Sequence, residues 1–436
     1  MTIEKHRHQR HTAGEIAQSN IPSFETLMSS TRYRSCLDPR DKIYSFLGIA
    51  PSHVFQIEPD YRKSVEEVYS EAIRLWINKT HTLDILNWVT EKSLRKFPAF
   101  PSWIGEFETS FDQQDLGSIA ILHNASVGSV AVPVTLEPKS FRELHVKGVE
   151  IDHIVELAHT WQWHGAMIKY DPLWTSMTLK LPLDYPTGHR RGEALIHTLV
   201  ADDIDSKPIA AYKDIKSLKE VIRKDVSYAL IIYLHRLCWF DLANKELSYD
   251  TAALQVLQDL ETLGKTDDNG YWPSIEEVRA IESITCTCNA NLTQVAPDQP
   301  STRHTSANML CLYNSEVTFD LSYDPNESTS PPPTMKNVVE EQGWDLNFGL
   351  SINYMMRHRR VARTRNGYLA LVPTSTEVGD TLWLFPGAQE PYVLREVISD
   401  GRGYRWEVMG HSYVHGIMQG EIWKSVEGNV CDVVLV

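Results

Sequence analysis

Between Thr364 and Gly416 the chain is cut into short apolar runs by turn-forming residues, and that spacing leaves little choice but a small antiparallel sheet. Thr364-Arg365-Asn366-Gly367-Tyr368 contains Asn-Gly, a pair that accepts the positive φ of a tight hairpin. The runs at 368–372, 381–385, 392–394 and 404–409 have strand length and are rich in aromatic and branched residues. Pro373, Gly379-Asp380, Pro386-Gly387 and Gly401-Arg402-Gly403 supply the turns between them. Gly410-His411-Ser412-Tyr413-Val414-His415-Gly416 then ends the sheet before a short turn at 417–421.

Upstream the period changes. Asp38 and Pro39 read as the cap and first residue of a short helix, Asp41 suits its positive end, and Gly48 suits its stop. Ile43, Phe46 and Leu47 are its apolar stripe. Ser64 and Glu67 have capping-box spacing, and Val65, Val68, Tyr69, Ala72 and Trp76 fall on one face of the helix that follows. From 141 to 157 strand character returns, with Gly148 expected to mark a bulge or a close backbone approach. Residues 158–185 show no clear period; 194–202 and 218–247 read as helices, as do segments near 275–284 and 345–356.

Composition bounds the class of protein. The 436 residues, 42% hydrophobic and 23% charged, suffice for a large core, and a net charge of -15 argues against a general nucleic-acid surface. Six cysteines scattered over this length do not form a disulfide framework. The N-terminus carries His6, His8 and His11 but no apolar leader, and no window is long and apolar enough for a membrane span. An intracellular, cytoplasmic protein is expected. Cys286, Cys288, His304 and Cys311 lack paired zinc-ligand spacing and read as free thiols and a loop histidine.

Three ordered blocks carry a resemblance. Arg34-Ser35-Cys36-Leu37-Asp38-Pro39-Arg40-Asp41-Lys42-Ile43-Tyr44-Ser45-Phe46-Leu47-Gly48 resembles the segment that closes the HET domain of fungal heterokaryon-incompatibility proteins. Pro59-Asp60-Tyr61, with the 64–69 helix start, is similar to the block after it, and Pro101-Ser102-Trp103 to the next. Val146 to Ile154, with Gly148 and Asp152, resembles the family's strand pair. Arg360, Gly367, Pro373, Gly379-Asp380, Pro386-Gly387, Val414-His415-Gly416 and Glu421 match its final part. The resemblance implies a role in non-self recognition and incompatibility-linked cell death, with other incompatibility proteins as partners. The family core resembles the TIR fold, some members of which cleave NAD. The tyrosine- and tryptophan-bearing strands of that core have no counterpart here, so the expectation is an N-terminally shortened member without a cofactor.

Residue chemistry adds little to that. His411, His415 and Glu421 form the best candidate metal or acid–base cluster, since positions four apart share a strand face. A structural hydrogen bond accounts for His415 and Glu421 equally well, so they stand as weak catalytic candidates, with no metal or cofactor ligand assigned. The basic run Arg357, Arg359, Arg360, Arg363 and Arg365 is either an anion-binding face or a charged edge that blocks strand aggregation. No P-loop, dinucleotide fingerprint, nucleophile elbow or zincin motif is present.

The sequence therefore predicts an α+β protein. A flexible tail (1–21) leads to a helical segment holding the end of a HET domain (22–110) and a mixed middle region with a strand pair (111–335). A small antiparallel β module (336–436) follows. Its function is expected to be non-catalytic and regulatory. The alternatives are an enzyme with a site between body and module, using His415 and Glu421, or an anion-binding module. Nothing in the sequence sets an oligomeric state.

Overall fold

A computed structural model describes residues 36–47, 57–89, 92–105, 107, 123–136, 138, 140–160, 171–204, 207–208, 250–266, 352, 355–397 and 403–436. His6, His8, His11, Gly48, the 218–247 helices, Cys286, Cys288, His304, Cys311 and most of 345–356 lie outside them. Two compact units emerge: residues 1–155 with 364–366 and 372–436, and residues 156–363 with 367–371.

The first unit is built on a closed ring of five strands. β1 (Leu144–Leu157) is followed in the chain by β2 (Asp203–Ile204) and β3 (Lys207–Pro208), a separate two-stranded pair. β4 (Arg359–Thr364) and β5 (Leu369–Pro373) are neighbours joined through Asn366-Gly367, as the hairpin signal predicts. β6 (Thr381–Leu384), β7 (Tyr392–Val397) and β8 (Arg405–His411) run antiparallel in succession, ahead of the short β9 (Tyr413–Val414) and β10 (Cys431–Leu435). The order β10-β8-β7-β6-β1 closes on itself because β10 also pairs with β1.

β1 explains the closure. Residues Leu144 to Gly148 pair with β10, and from Val149 the same strand pairs with β6, with a register shift between Glu150 and Asp152. The expected strand pair is thus one long strand, with its irregularity just beyond Gly148. Gly148 instead meets the second expectation, a close approach: a Cβ there would stand 2.7 Å from the Phe385 ring. The sheet is mixed rather than antiparallel throughout, since β10 and β8 run parallel through Leu435 and Trp406.

Helices cover this barrel. α1 (Asp41–Leu47) buries Ile43, Tyr44 and Phe46, and starts later than the sequence predicts because Asp38 and Pro39 form the turn before it. α2 (Val65–Thr80) has the predicted capping box, with Ser64 and Glu67 each satisfying the other's backbone N–H. Its Val68, Tyr69, Ile73, Trp76 and Ile77 join Trp103, Leu144, Val146, Phe385, Tyr392, Trp406 and Val433 in one core. At roughly 1.5–3 kcal/mol for each fully buried large apolar side chain, this packing dominates the unit's stability.

Among the described residues the second unit holds three helices. α3 (Pro172–Leu179) lies where the sequence shows no period, yet Asp171 caps it through Leu173 N–H and Pro172 opens it. α4 (Arg191–Val200) ends at Ala201 in the left-handed region. α5 (Asp250–Thr266) packs on α3, where Thr175 donates to the buried Asp259 carboxylate at 2.9 Å. The short α6 (Trp423–Val426) belongs to the first unit. Among the described residues no helix is long and apolar enough to cross a membrane.

Candidate functional sites

The Asp-Pro-Arg-Asp and Pro-Asp-Tyr blocks are two halves of one joint. Arg40 reaches both Asp38 oxygens, through Nε at 3.0 Å and Nη2 at 2.7 Å, while Nη1 donates to the carbonyls of Tyr61 and Lys63 at 2.6 and 2.8 Å. Tyr61 donates to Asp41 at 2.6 Å, and Tyr44 donates to the Asp60 carbonyl and accepts its N–H. Pro39 contributes its carbonyl to Tyr69 on α2 at 2.9 Å. The Arg40 side chain, and then its backbone N–H, hold Asp38 below the usual carboxylate range; Arg62 in the same way brings Asp60 to about 2. The polar atoms named here bond to other parts of the joint.

The later motif residues also hold turns and crossings. Asp380 takes Arg395 on both oxygens, at 2.8 and 2.9 Å, and accepts the Glu377 N–H. Asp152 accepts backbone N–H groups of His153 and Asn366, so it fixes the hairpin turn. Gly387, after Pro386, has φ 80°, and a Cβ there would stand 2.4 Å from the Ala131 nitrogen. Gly367, Gly379 and Gly416 likewise have positive φ in turns.

The weak catalytic pair is not brought together. His415 is buried against Tyr413, whose hydroxyl stands 3.1 Å from Nδ1, whereas Glu421 is exposed and accepts the Gln419 N–H. His411 turns elsewhere. Its Nε2 lies 3.6 Å from Oε2 of Glu390, and His123 Nδ1 lies 2.9 Å from the other oxygen. Glu390 is 1% exposed, so two imidazoles flank one buried carboxylate. Sequence reasoning missed His123 and Glu390, since 267 positions separate them. This group ties the 123–130 segment to the barrel, as do Asn124 N–H to the Met418 carbonyl and Ser126 hydroxyl to the Ala388 carbonyl.

Three arginines of the basic run are engaged or buried within the fold. Arg363 pairs with Glu156 at 2.8 Å, and Arg360 donates to the Ala158 carbonyl at 2.8 Å. Burial lowers the Arg360 pKa from its ordinary value. Arg359 is buried.

A second histidine group stands at α4. His197 Nδ1 contacts Asp202, its Nε2 lies 3.8 Å from Glu193, and His189 stacks on its ring at 5.9 Å and 18°. Burial works against the charged ring, but Asp202 and then Glu193 outweigh it and raise its pKa to about 9. Ala201 and Asp202 are both left-handed, at φ 48° and 62°, an uncommon pair for non-glycine residues that turns the Asp202 carboxylate back toward the helix.

An open cleft of about 410 Å³ lies in the first unit, lined by residues including Phe100, Ser102, Arg142, Glu143 and Glu407. Its charged side chains already have partners: Arg142 with Glu66, Glu143 with Arg405, and Glu407 with Lys92. Ser102 donates to the Val436 carbonyl and accepts the Val408 N–H.

Comparison with known proteins matches residues 335–432 to the Het-6 beta-barrel domain. A 72-residue stretch is 38% identical to heterokaryon incompatibility protein 6, OR allele, of Neurospora crassa. That match covers 16% of this chain and 10% of the relative, so the chain spans about a tenth of the length of the curated relative it matches. No solved structure matches.

Proposed function

Starting from a fungal heterokaryon-incompatibility family protein, as this chain is, we propose that it acts as a non-catalytic, protein-binding regulatory module in non-self recognition. Its site of action is the cytoplasm, and its output is the cell death that follows fusion of incompatible hyphae. The observation that carries this reading is the fate of the family-motif residues. Asp38, Arg40, Tyr44, Asp60, Tyr61, Asp152 and Asp380 spend their polar atoms on one another, on the side chains of Asp41, Arg62 and Arg395, and on backbone groups. A catalytic apparatus needs groups that converge on a space a substrate can enter. Here the cleft lined by Ser102, Arg142, Glu143 and Glu407 is walled by charges that are already paired, which favours recognition by surface over chemistry.

The direct test is binding. Immobilised full chain is challenged with several purified heterokaryon-incompatibility proteins, with an unrelated fungal protein of similar charge as control. The reading expects saturable binding of at least one family member that withstands about 0.15 M salt, where exposed charge pairs are largely screened. Failure with every family member tested, or equal retention of the control, contradicts it.

A further inference from the structure

We propose that the strap from Ser129 to Leu136 is a pairing edge through which two copies of this chain associate, antiparallel and with Ala131 on the twofold axis. Ten large apolar residues are exposed among the described residues, and four of them, Val127, Val130, Val132 and Leu136, fall on this strap and the turn before it. Val130 and Val132 are 66% and 51% exposed. From 124 to 136 there is no Asp, Glu, Lys or Arg, in a chain that is 23% charged. A clustered, uncharged apolar surface is the usual mark of a contact face.

The strap is laid out as a strand without a neighbour. No turn or bend interrupts 129–135, and Pro133 confines Val132 to extended conformations. Its inner side is fixed. Ala131 is buried and donates its N–H to the His81 carbonyl at 2.8 Å, Val134 exchanges two bonds with the Asn78 amide, and the Thr135 carbonyl accepts from Arg74. Backbone groups of successive residues in an extended chain point to opposite sides, so those of Val130 and Val132 turn away from His81. Neither residue's N–H or carbonyl has a hydrogen-bond partner among the described residues.

The symmetry of the pattern names the occupant. The exposed apolar residues are arranged almost evenly about Ala131, with Val130 and Val132 on either side, Val127 four before and Leu136 five after. An antiparallel second copy therefore sets Val130 against the other copy's Val132 and the reverse, each pair exchanging both N–H···O bonds. Ala131 faces its own copy in the pair between them, where its N–H is not needed because it is spent on His81. One patch serves both copies, so the contact closes at two. The net charge of -15 makes an uncharged edge the place where two copies meet without like charges opposed. Val127 is an independent sign of such a role. Its φ of 51° is strained for a β-branched residue, and it is tolerated because Gly420 lies beneath, where any Cβ would collide with it. The turn thus holds an apolar side chain half in solvent at a cost that burial against a second copy offsets.

The test is sedimentation of the full chain in about 0.15 M salt, where long-range charge repulsion is screened. The contact is small, below about 1,200 Å², so the parent is expected to pass from monomer to dimer over about 1–200 µM. Val130→Asp with Val132→Asp, and Val130→Lys with Val132→Lys, alter only exposed side chains and set like charges opposite each other. Each should stay monomeric over that range. An equimolar mixture of the two should recover the dimer, since every Asp then faces a Lys. Val378→Asp, at an exposed residue elsewhere in the same unit, should dimerise as the parent does. The proposal is overturned if the parent is monomeric throughout, if the Asp-substituted strap associates as the parent does, or if the mixture forms no dimer although both variants keep the parent's circular dichroism.

Discussion

Arg74 shows most plainly how single residues work in this protein. It is 2% exposed, has no carboxylate partner among the described residues, and has its pKa brought by burial to about 10. Its guanidinium donates to the carbonyls of Thr135 and Glu143 and to Ser70, and lies 5.2 Å above the Trp103 ring. One side chain thus ties α2 to two segments that form no ladder with it. Replacing it with Met should cost about 2–3 kcal/mol, because the two carbonyls lose their donors, and urea unfolding would read this as a lower midpoint. At this scale the sequence was legible where partners are near in the chain. The Ser64–Glu67 capping box could be read directly, and so could the Asp152 and Gly148 positions, though not what they touch. The Arg40 joint was not legible, because its acceptors lie 21 and 23 residues away and are backbone carbonyls with no side-chain signature.

At the scale of elements, β1 is the decisive case. Its pattern announced a strand, but period-2 alternation cannot tell which partner a strand takes. The structure gives it two in succession, β10 and then β6, and the crossing is possible because Gly148 lets the Phe385 ring lie on the backbone. Gly148→Ala should therefore destabilise the protein by about 1–3 kcal/mol through overpacking, read as a fall in thermal midpoint with unchanged far-UV circular dichroism. α3 and α5 show the limits of periodicity in opposite ways. α3 is eight residues long, too short for a period to register, although Asp171-Pro172 is a sound start signal. α5 escapes the sequence reading, which ends one helix at 247 and begins the next near 275, although Val256, Leu260 and Leu263, all buried, stand at helical spacing.

For the whole molecule, the C-terminal family match and the physical barrel do not coincide. The matched residues 335–432 include β6, β7, β8 and the first two residues of β10, while the strand that closes the ring begins at Leu144. Without β1, one edge of β6 and one of β10 would present unpaired backbone groups. Residues 335–436 alone should then show no cooperative thermal transition, whereas the full chain should; a fragment that unfolds as sharply as the parent would contradict the closure. The same organisation bears on function. The motif residues are spent on joints, so the proposed protein-binding role falls to the surface they hold in place. The most direct measurement of that claim is hyphal viability when the full chain is co-expressed with intact incompatibility proteins. Viability is predicted to change with at least one partner and to change equally for His415→Ala and Glu421→Ala variants. No change across several partners, or an effect abolished by Glu421→Ala in a folded protein, would contradict it.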